Sequence, residues 1–179
     1  MAKGLVGVLL NEEQIHTRVR ELGEQISRDY AGKEVLIVGI LKGAFVFCAD
    51  LLRALSVPVQ VDFMAVSSYG ASTESSGVLR ILKDLDASVT GRHVLLVEDI
   101  VDTGLTLRYL REYLERQGPA SLRICTLLDK PARRQTPVTV EYVGFQIPDE
   151  FIVGYGIDYA ENYRSLPYIG VIGDVPDEQ

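Results

Sequence analysis

The chain has 179 residues, with 18 Lys+Arg against 25 Asp+Glu and a formal charge of −7 at neutral pH. Apolar residues make up 47% and charged residues 24%, which suits one globular domain with a single core and argues against a duplex-binding module, whose affinity rests on Lys and Arg neutralising phosphates. The longest apolar runs, Leu5–Leu10 and Val35–Leu41, fall far short of the roughly 20 residues that a membrane-crossing helix requires. Leu5–Leu10 is also shorter than a secretory h-region and runs into Asn11-Glu12-Glu13. With no export signal, Cys48 and Cys125, both in apolar surroundings, are expected to be buried reduced thiols of a cytoplasmic protein.

Asn11 precedes Ile15, Val19, Leu22 and Ile26, which recur at helical spacing, so a capped amphipathic helix is predicted there, ending at Gly32. Val35–Ile40 is a continuous β-branched run, the pattern of a strand buried on both faces. Phe45, Ala49, Leu52 and Leu55 mark a second helix, and Val59–Val66 a second strand after Pro58. Residues 67–77 are polar and aperiodic, the signature of a binding loop or lid, and Val78–Lys83 reads as a returning strand. His93–Val97 is a further buried strand, Thr106–Gln117 a helix and Arg123–Leu128 another strand. This alternation predicts an α/β fold, with a mainly parallel twisted sheet flanked by helices. After Pro137, short strands are expected around Val140–Phe145, Phe151–Val153 and Tyr168–Ile172, forming a small hood beside the sheet. No linker divides the chain, so residues 1–179 are read as one domain.

The densest chemistry lies in Glu98-Asp99-Ile100-Val101-Asp102-Thr103-Gly104-Leu105-Thr106. Two adjacent carboxylates stand where the strand His93–Val97 is predicted to end, and ligands of open α/β sheets bind at such ends. Asp102–Thr106 leads into a helix whose first amides can hold an anion, with Gly104 allowing close approach and Thr103 and Thr106 adding hydroxyls. Carboxylates beside an anion cradle suit a sugar phosphate with Mg²⁺. The spacing and lysine of a Walker loop are missing. Asp102-Thr103-Gly104 matches the short signature of aspartic proteases, but those are β proteins, and here a strand and a helix flank it. A blander reading makes Asp102 and Thr103 helix caps only. Lys42-Gly43, after the first buried strand, is a second anion site by the same logic: a cation, a glycine and a helix start. His16 and His93 have no ligand-spaced partners and are read as structural.

Val97–Thr106 resembles the phosphoribosyl-diphosphate signature of the type I phosphoribosyltransferases, and the whole chain from Asn11 to Ile172 is similar to the bacterial hypoxanthine (hypoxanthine-guanine) members. The resemblance implies purine salvage: transfer of 5-phosphoribosyl to N9 of hypoxanthine or guanine, with Mg²⁺ as cofactor. It implies that Lys42, Gly43 and Arg164 meet pyrophosphate, with a cis peptide between Leu41 and Lys42. Glu98 and Asp99 would hold the ribose hydroxyls and a Mg²⁺ ion, and Asp158 a second one. Asp102 would be the general base that takes the N7 proton, while Thr103, Gly104, Leu105 and Thr106 grip the 5′-phosphate. Lys130 would face O6 of a 6-oxopurine, whose acceptor adenine lacks. Phe151 would stack on the base, although an isolated phenylalanine is more often core, and the Ile152 backbone would touch the base edge. Ser68-Tyr69 would open the lid over residues 67–77, which excludes water from the reacting sugar. The hood is assigned to the N-terminal segment and the C-terminal tail, and a homodimer or homotetramer is expected. Within this class a xanthine- or guanine-preferring enzyme is the alternative. Outside it stands a nucleotide- or RNA-binding regulator on the same fold, which the acidity and the full set of site residues disfavour.

Overall fold

The chain was analysed as a computed structural model that describes residues 1–68 and 79–176. In chain order the elements are β1 (Ala2–Leu10), α1 (Glu12–Asp29), β2 (Val35–Leu41), α2 (Phe45–Ala54), β3 (Val59–Ser68), β4 (Leu79–Lys83), β5 (His93–Val101), α3 (Leu105–Glu115), β6 (Ser121–Asp129), a 3₁₀ turn (Pro131–Arg133), β7 (Tyr142–Gln146), β8 (Ile152–Val153) and β9 (Ile169–Val175). Six strands form the main sheet in the order β4-β3-β2-β5-β6-β7. All its pairings are parallel except that of β4, which returns antiparallel to β3.

Both faces of this sheet are covered, which is why β2 and β5 read as unbroken apolar runs. On one face Val35, Ile37, Leu95, Val97 and Cys125 pack with Ile15, Leu22 and Ile26 of α1 and with Phe47, Cys48 and Leu51 of α2. On the other, Leu36, Val38, Val94 and Leu96 pack with Leu107, Leu110 and Leu114 of α3. The start of α1 is fixed by a reciprocal cap. Asn11 Oδ1 accepts from Gln14 N at 2.8 Å, and Gln14 Oε1 accepts from Asn11 N at 2.9 Å.

Three elements depart from the sequence reading. The strand predicted over His93–Val97 does not stop there but runs, as β5, to Val101, because β6 keeps supplying backbone partners as far as Val101↔Asp129. Val140–Phe145, expected in the hood, instead yields β7, the parallel sixth strand of the main sheet. Glu141 holds it there: its Oε2 accepts from Ile124 N at 2.7 Å and from Arg111 at 2.9 Å. The apolar run Leu5–Leu10 belongs to a strand, β1, that pairs antiparallel with β9. With β8 these form a separate three-stranded sheet in the order β1-β9-β8. Among the described residues no helix is long and apolar enough to cross a membrane.

Candidate active site

The chain leaves β2 for β3 on one side and only later returns to place β5 on the other. The strand order therefore reverses between β2 and β5, the position at which open α/β sheets bind ligands. Pairing of β2 with β5 runs from Val35↔His93 to Gly39↔Val97 and then ceases. Beyond it β2 stays with β3 and β5 stays with β6, so the two strands part. Glu98 and Asp99 occupy that parting.

Their electrostatics follow from the location. Glu98 is buried and Asp99 half-buried. Burial pushes the Glu98 carboxyl well above its usual range, and the neighbouring Asp99 charge adds to the rise. Burial likewise raises Asp99. Backbone amides of Asp99 and Ile100 donate to Glu98 Oε1 at 3.1 Å and Asp99 Oδ1 at 2.7 Å. Among the described residues no ion pair reaches either carboxylate. From the β2 side the Leu41–Lys42 peptide is cis, as the resemblance implied. Gly43 follows, and a Cβ there would overlap Asp99 Oδ2. Only glycine lets the two strand ends approach this closely.

Glu98, Asp99, Asp102, Thr103, Gly104 and Thr106 line one cleft of about 250 Å³. Gly104 has φ 83°, the left-handed region that favours glycine, and enters α3 without any side-chain cap. The first helical turn thus keeps donors directed at the cleft, although Leu105 N is shared with Thr103 Oγ1 at 3.3 Å. The loop is braced from behind: Thr103 O accepts from Gln135 N and Thr136 N, and Asp102 O accepts from Arg134 Nε at 3.2 Å.

Lys130 follows β6 and is only 6% exposed. Its Nζ donates to Glu150 O at 2.8 Å and lies 3.6 Å from Asp102 Oδ1. That Asp102 oxygen is buried and accepts no hydrogen bond. Phe151 is 54% exposed and meets Tyr159 edge to face, with ring centroids 5.4 Å apart. Such exposure excludes a core role. Ile152, next to it, is buried and pairs with Val171.

The segment after β8 carries the last predicted residues. Arg164 Nη1 donates to Gly156 O at 2.8 Å, and its Nη2 lies 3.3 Å from Asp158 Oδ1. Lys42, by contrast, points into solvent and pairs with Glu161. The structure therefore gathers the predicted residues into three groups. Glu98–Thr106 abuts Gly43 and Lys130, Lys42 joins Asp158 and Arg164 through Glu161, and Phe151 stands with Tyr159. Ser68 ends β3, its backbone opposite Leu79 of β4, whereas Tyr69 and the rest of the expected lid lie outside the described residues.

Sequence reasoning missed Glu161 and Arg134. Arg134 reads as a surface turn residue, yet it pairs with buried Asp129. An unpaired-looking aspartate at the end of an apolar strand was the available signal. Glu161 lies in a stretch with positive φ at Ala160, Glu161 and Tyr163, so no periodicity points to it.

Residues 7–160 match the phosphoribosyl transferase domain family. Hypoxanthine phosphoribosyltransferase of Haemophilus influenzae is 52% identical over 175 residues, covering 96% of this chain and 98% of that protein. Hypoxanthine-guanine phosphoribosyltransferase of Mycobacterium tuberculosis is 56% identical over 171 residues, covering 92% and 85%. A crystal structure of a hypoxanthine-guanine phosphoribosyltransferase from Bacillus anthracis superposes with a TM-score of 0.90 at 49% identity, covering 97% of this chain and 100% of that one. One of a hypoxanthine phosphoribosyltransferase from Staphylococcus aureus gives 0.91 at 50% identity, covering 94% and 92%. The family match over most of the chain, the relatives at 52% and 56% identity and the superposition of the whole fold agree, and this chain belongs to the phosphoribosyltransferase family.

Proposed function

We propose that this protein transfers the 5-phosphoribosyl group of phosphoribosyl diphosphate to N9 of hypoxanthine, and of guanine, forming IMP or GMP and releasing pyrophosphate. The observation that carries the reading is the pair formed by Asp102 and Lys130. A buried acceptor oxygen without a hydrogen bond lies 3.6 Å from a buried ammonium, beside the anion loop. A 6-oxopurine meets both groups along one edge, because O6 accepts from Lys130 while N7–H donates to Asp102. Adenine would turn a donor toward a donor.

In the reaction the N9 lone pair forms the new bond to C1′. The C1′–O bond to the diphosphate breaks, its electron pair leaves with pyrophosphate, and the N7 proton passes to Asp102. The loop Thr103–Thr106 holds the 5′-phosphate at the start of α3. Phe151 offers an open aromatic face to the base. Arg164 and Lys42 meet the diphosphate, and Glu98 and Asp99 accept from the ribose hydroxyls.

Glu98 and Asp99 also suit Mg²⁺. The two carboxyls are adjacent at the strand end, burial raises both, and a divalent cation beside them would favour their charged forms. Mg²⁺ favours such a setting of one or two carboxylates plus substrate oxygens. Bound there, it would neutralise charge on the diphosphate. Asp158, proposed for a second ion, already faces Arg164, so that ion would have to take over part of the contact. Two free buried thiols, Cys48 and Cys125, suit a cytoplasmic setting, and the family resemblance implies a homodimer or homotetramer.

The test is one assay of the purified protein with Mg²⁺, phosphoribosyl diphosphate and four bases: hypoxanthine, guanine, xanthine and adenine. IMP formation is the expected result, with adenine unused. Failure with all three 6-oxopurines overturns the proposal, and a xanthine preference moves the protein to the neighbouring specificity.

A further inference from the structure

We infer that Glu161 is a tethered counter-anion: its carboxylate holds the place of a diphosphate between Lys42 and Arg164, leaves when that ligand arrives, and returns as it departs. The inference rests on the proposed role of Lys42 and Arg164 toward pyrophosphate, and it adds a residue that sets how tightly that product is held.

Three features of the site support it. The first is placement. Glu161 Oε2 lies 3.4 Å from Lys42 Nζ, and Glu161 Oε1 lies 3.3 Å from Arg164 Nη2. One carboxylate thereby spans two cations that belong to opposite sides of the site, the turn after β2 and the segment after β8. Two anionic oxygens bridging two cations is the arrangement a diphosphate would itself adopt.

The second is the contrast between backbone and side chain. Glu161 has φ 64°, and its N–H donates to Asp158 Oδ2 at 2.8 Å. Its turn is closed by Tyr159 and Asn162, which exchange both backbone hydrogen bonds. The main chain is therefore held in place. The side chains of Glu161 and Lys42, however, are each 68% exposed, and solvent-bathed pairs of this kind are weak and readily exchanged. The carboxylate stays near the two cations at high effective concentration without being locked onto either.

The third is charge. Arg164 Nη1 is fixed on Gly156 O, so only Nη2 is shared, between Asp158 and Glu161. Lys42 and Arg164 are matched by Asp158 and Glu161, two cations against two carboxylates. An incoming diphosphate can use Lys42 fully only by displacing Glu161. When it departs Glu161 re-covers the cations, so the ligand is held less tightly than the two cations alone would hold it.

Calorimetric titration of inorganic pyrophosphate with Mg²⁺ tests this without turnover. Glu161→Gln keeps the shape and removes the charge, so pyrophosphate should bind roughly three- to tenfold tighter. Glu161→Asp, still charged, should stay close to the unmodified protein, and Glu161→Ala should tighten binding as Gln does. The gain should shrink as salt rises, since screening weakens exposed charges, whereas a merely structural role would be insensitive to it. It should also vanish when Lys42→Met is added. If the unmodified protein binds pyrophosphate and makes IMP but Glu161→Gln and Glu161→Ala bind it equally or more weakly, the inference is wrong and the enzyme reading stands. If the unmodified protein neither binds pyrophosphate nor makes IMP, the enzyme reading falls and the inference with it.

Discussion

On the proposed reading Asp102 and Lys130 divide the work on the purine between a proton acceptor and a donor, and their surroundings keep the two roles apart. Lys130 is anchored by Glu150 O, while Asp102 Oδ1 is left without a hydrogen bond. Asp102→Asn preserves shape but cannot accept the N7 proton. We expect a fall of about 10²- to 10⁴-fold in the chemical step, the usual contribution of a general base, with phosphoribosyl diphosphate binding unchanged. Single-turnover kinetics is the proper readout, because product release can mask the step in steady state. An unaltered single-turnover rate would remove Asp102 from the role. At this scale the sequence was informative where a charge interrupts an apolar run, as at Lys42, Glu98, Asp99 and Asp102. It was silent on Glu161, which has a left-handed φ and whose partner Lys42 lies 119 residues away.

Among the elements, β5 shows why strand ends are hard to read. Two carboxylates after Val97 look like a stop, since buried charge is costly. The strand nevertheless continues on its β6 side after losing its β2 neighbour, and the cost is carried in the folded state. Glu98→Gln should therefore stabilise the metal-free protein while reducing its activity, the exchange often found at functional sites. A gain of about 1 kcal/mol corresponds to roughly 2–4 °C in Tm for a chain of this size. The gain should grow as pH rises above the ordinary carboxylate value and level off above the raised folded one, because in that window the unfolded chain has released the Glu98 proton while burial makes the folded protein keep it. Scanning calorimetry in chelator at several pH values reads this out, and a variant no more stable at any of them contradicts it. β1, and the sheet to which β7 belongs, were hidden for a different reason. Both strands lie at the margins of sheets, where the partner strand and a single clamp such as Glu141 decide the pairing, and local pattern does not carry that information.

For the whole molecule, the alternating sides of β2 and β5 supply two cores, and both cysteines lie in the one beneath α1 and α2. Burial pushes the Cys48 thiol up to about 11, and Cys125 higher still. A raised thiol pKa favours the folded state below the ordinary value and loses that advantage as pH climbs toward the folded one. A disulfide-exchange reagent at pH 8 should modify neither thiol in the native protein and both after denaturation; rapid native labelling would mean that this core opens easily. The layered plan was legible from the strand–helix alternation, and the net charge of −7 proved compatible with anionic ligands because the cations are placed locally. The parting of β2 from β5 has one more consequence. On the proposed reading the sugar phosphate is held by the turns after these two strands, whereas the base, apart from the N7 contact of Asp102, is met from beyond β6 and around β8. The two kinds of recognition are thus carried largely on different stretches of polypeptide over a shared frame, so a change of base preference can be built into residues 128–134 and 149–153, leaving the loop for the sugar phosphate untouched.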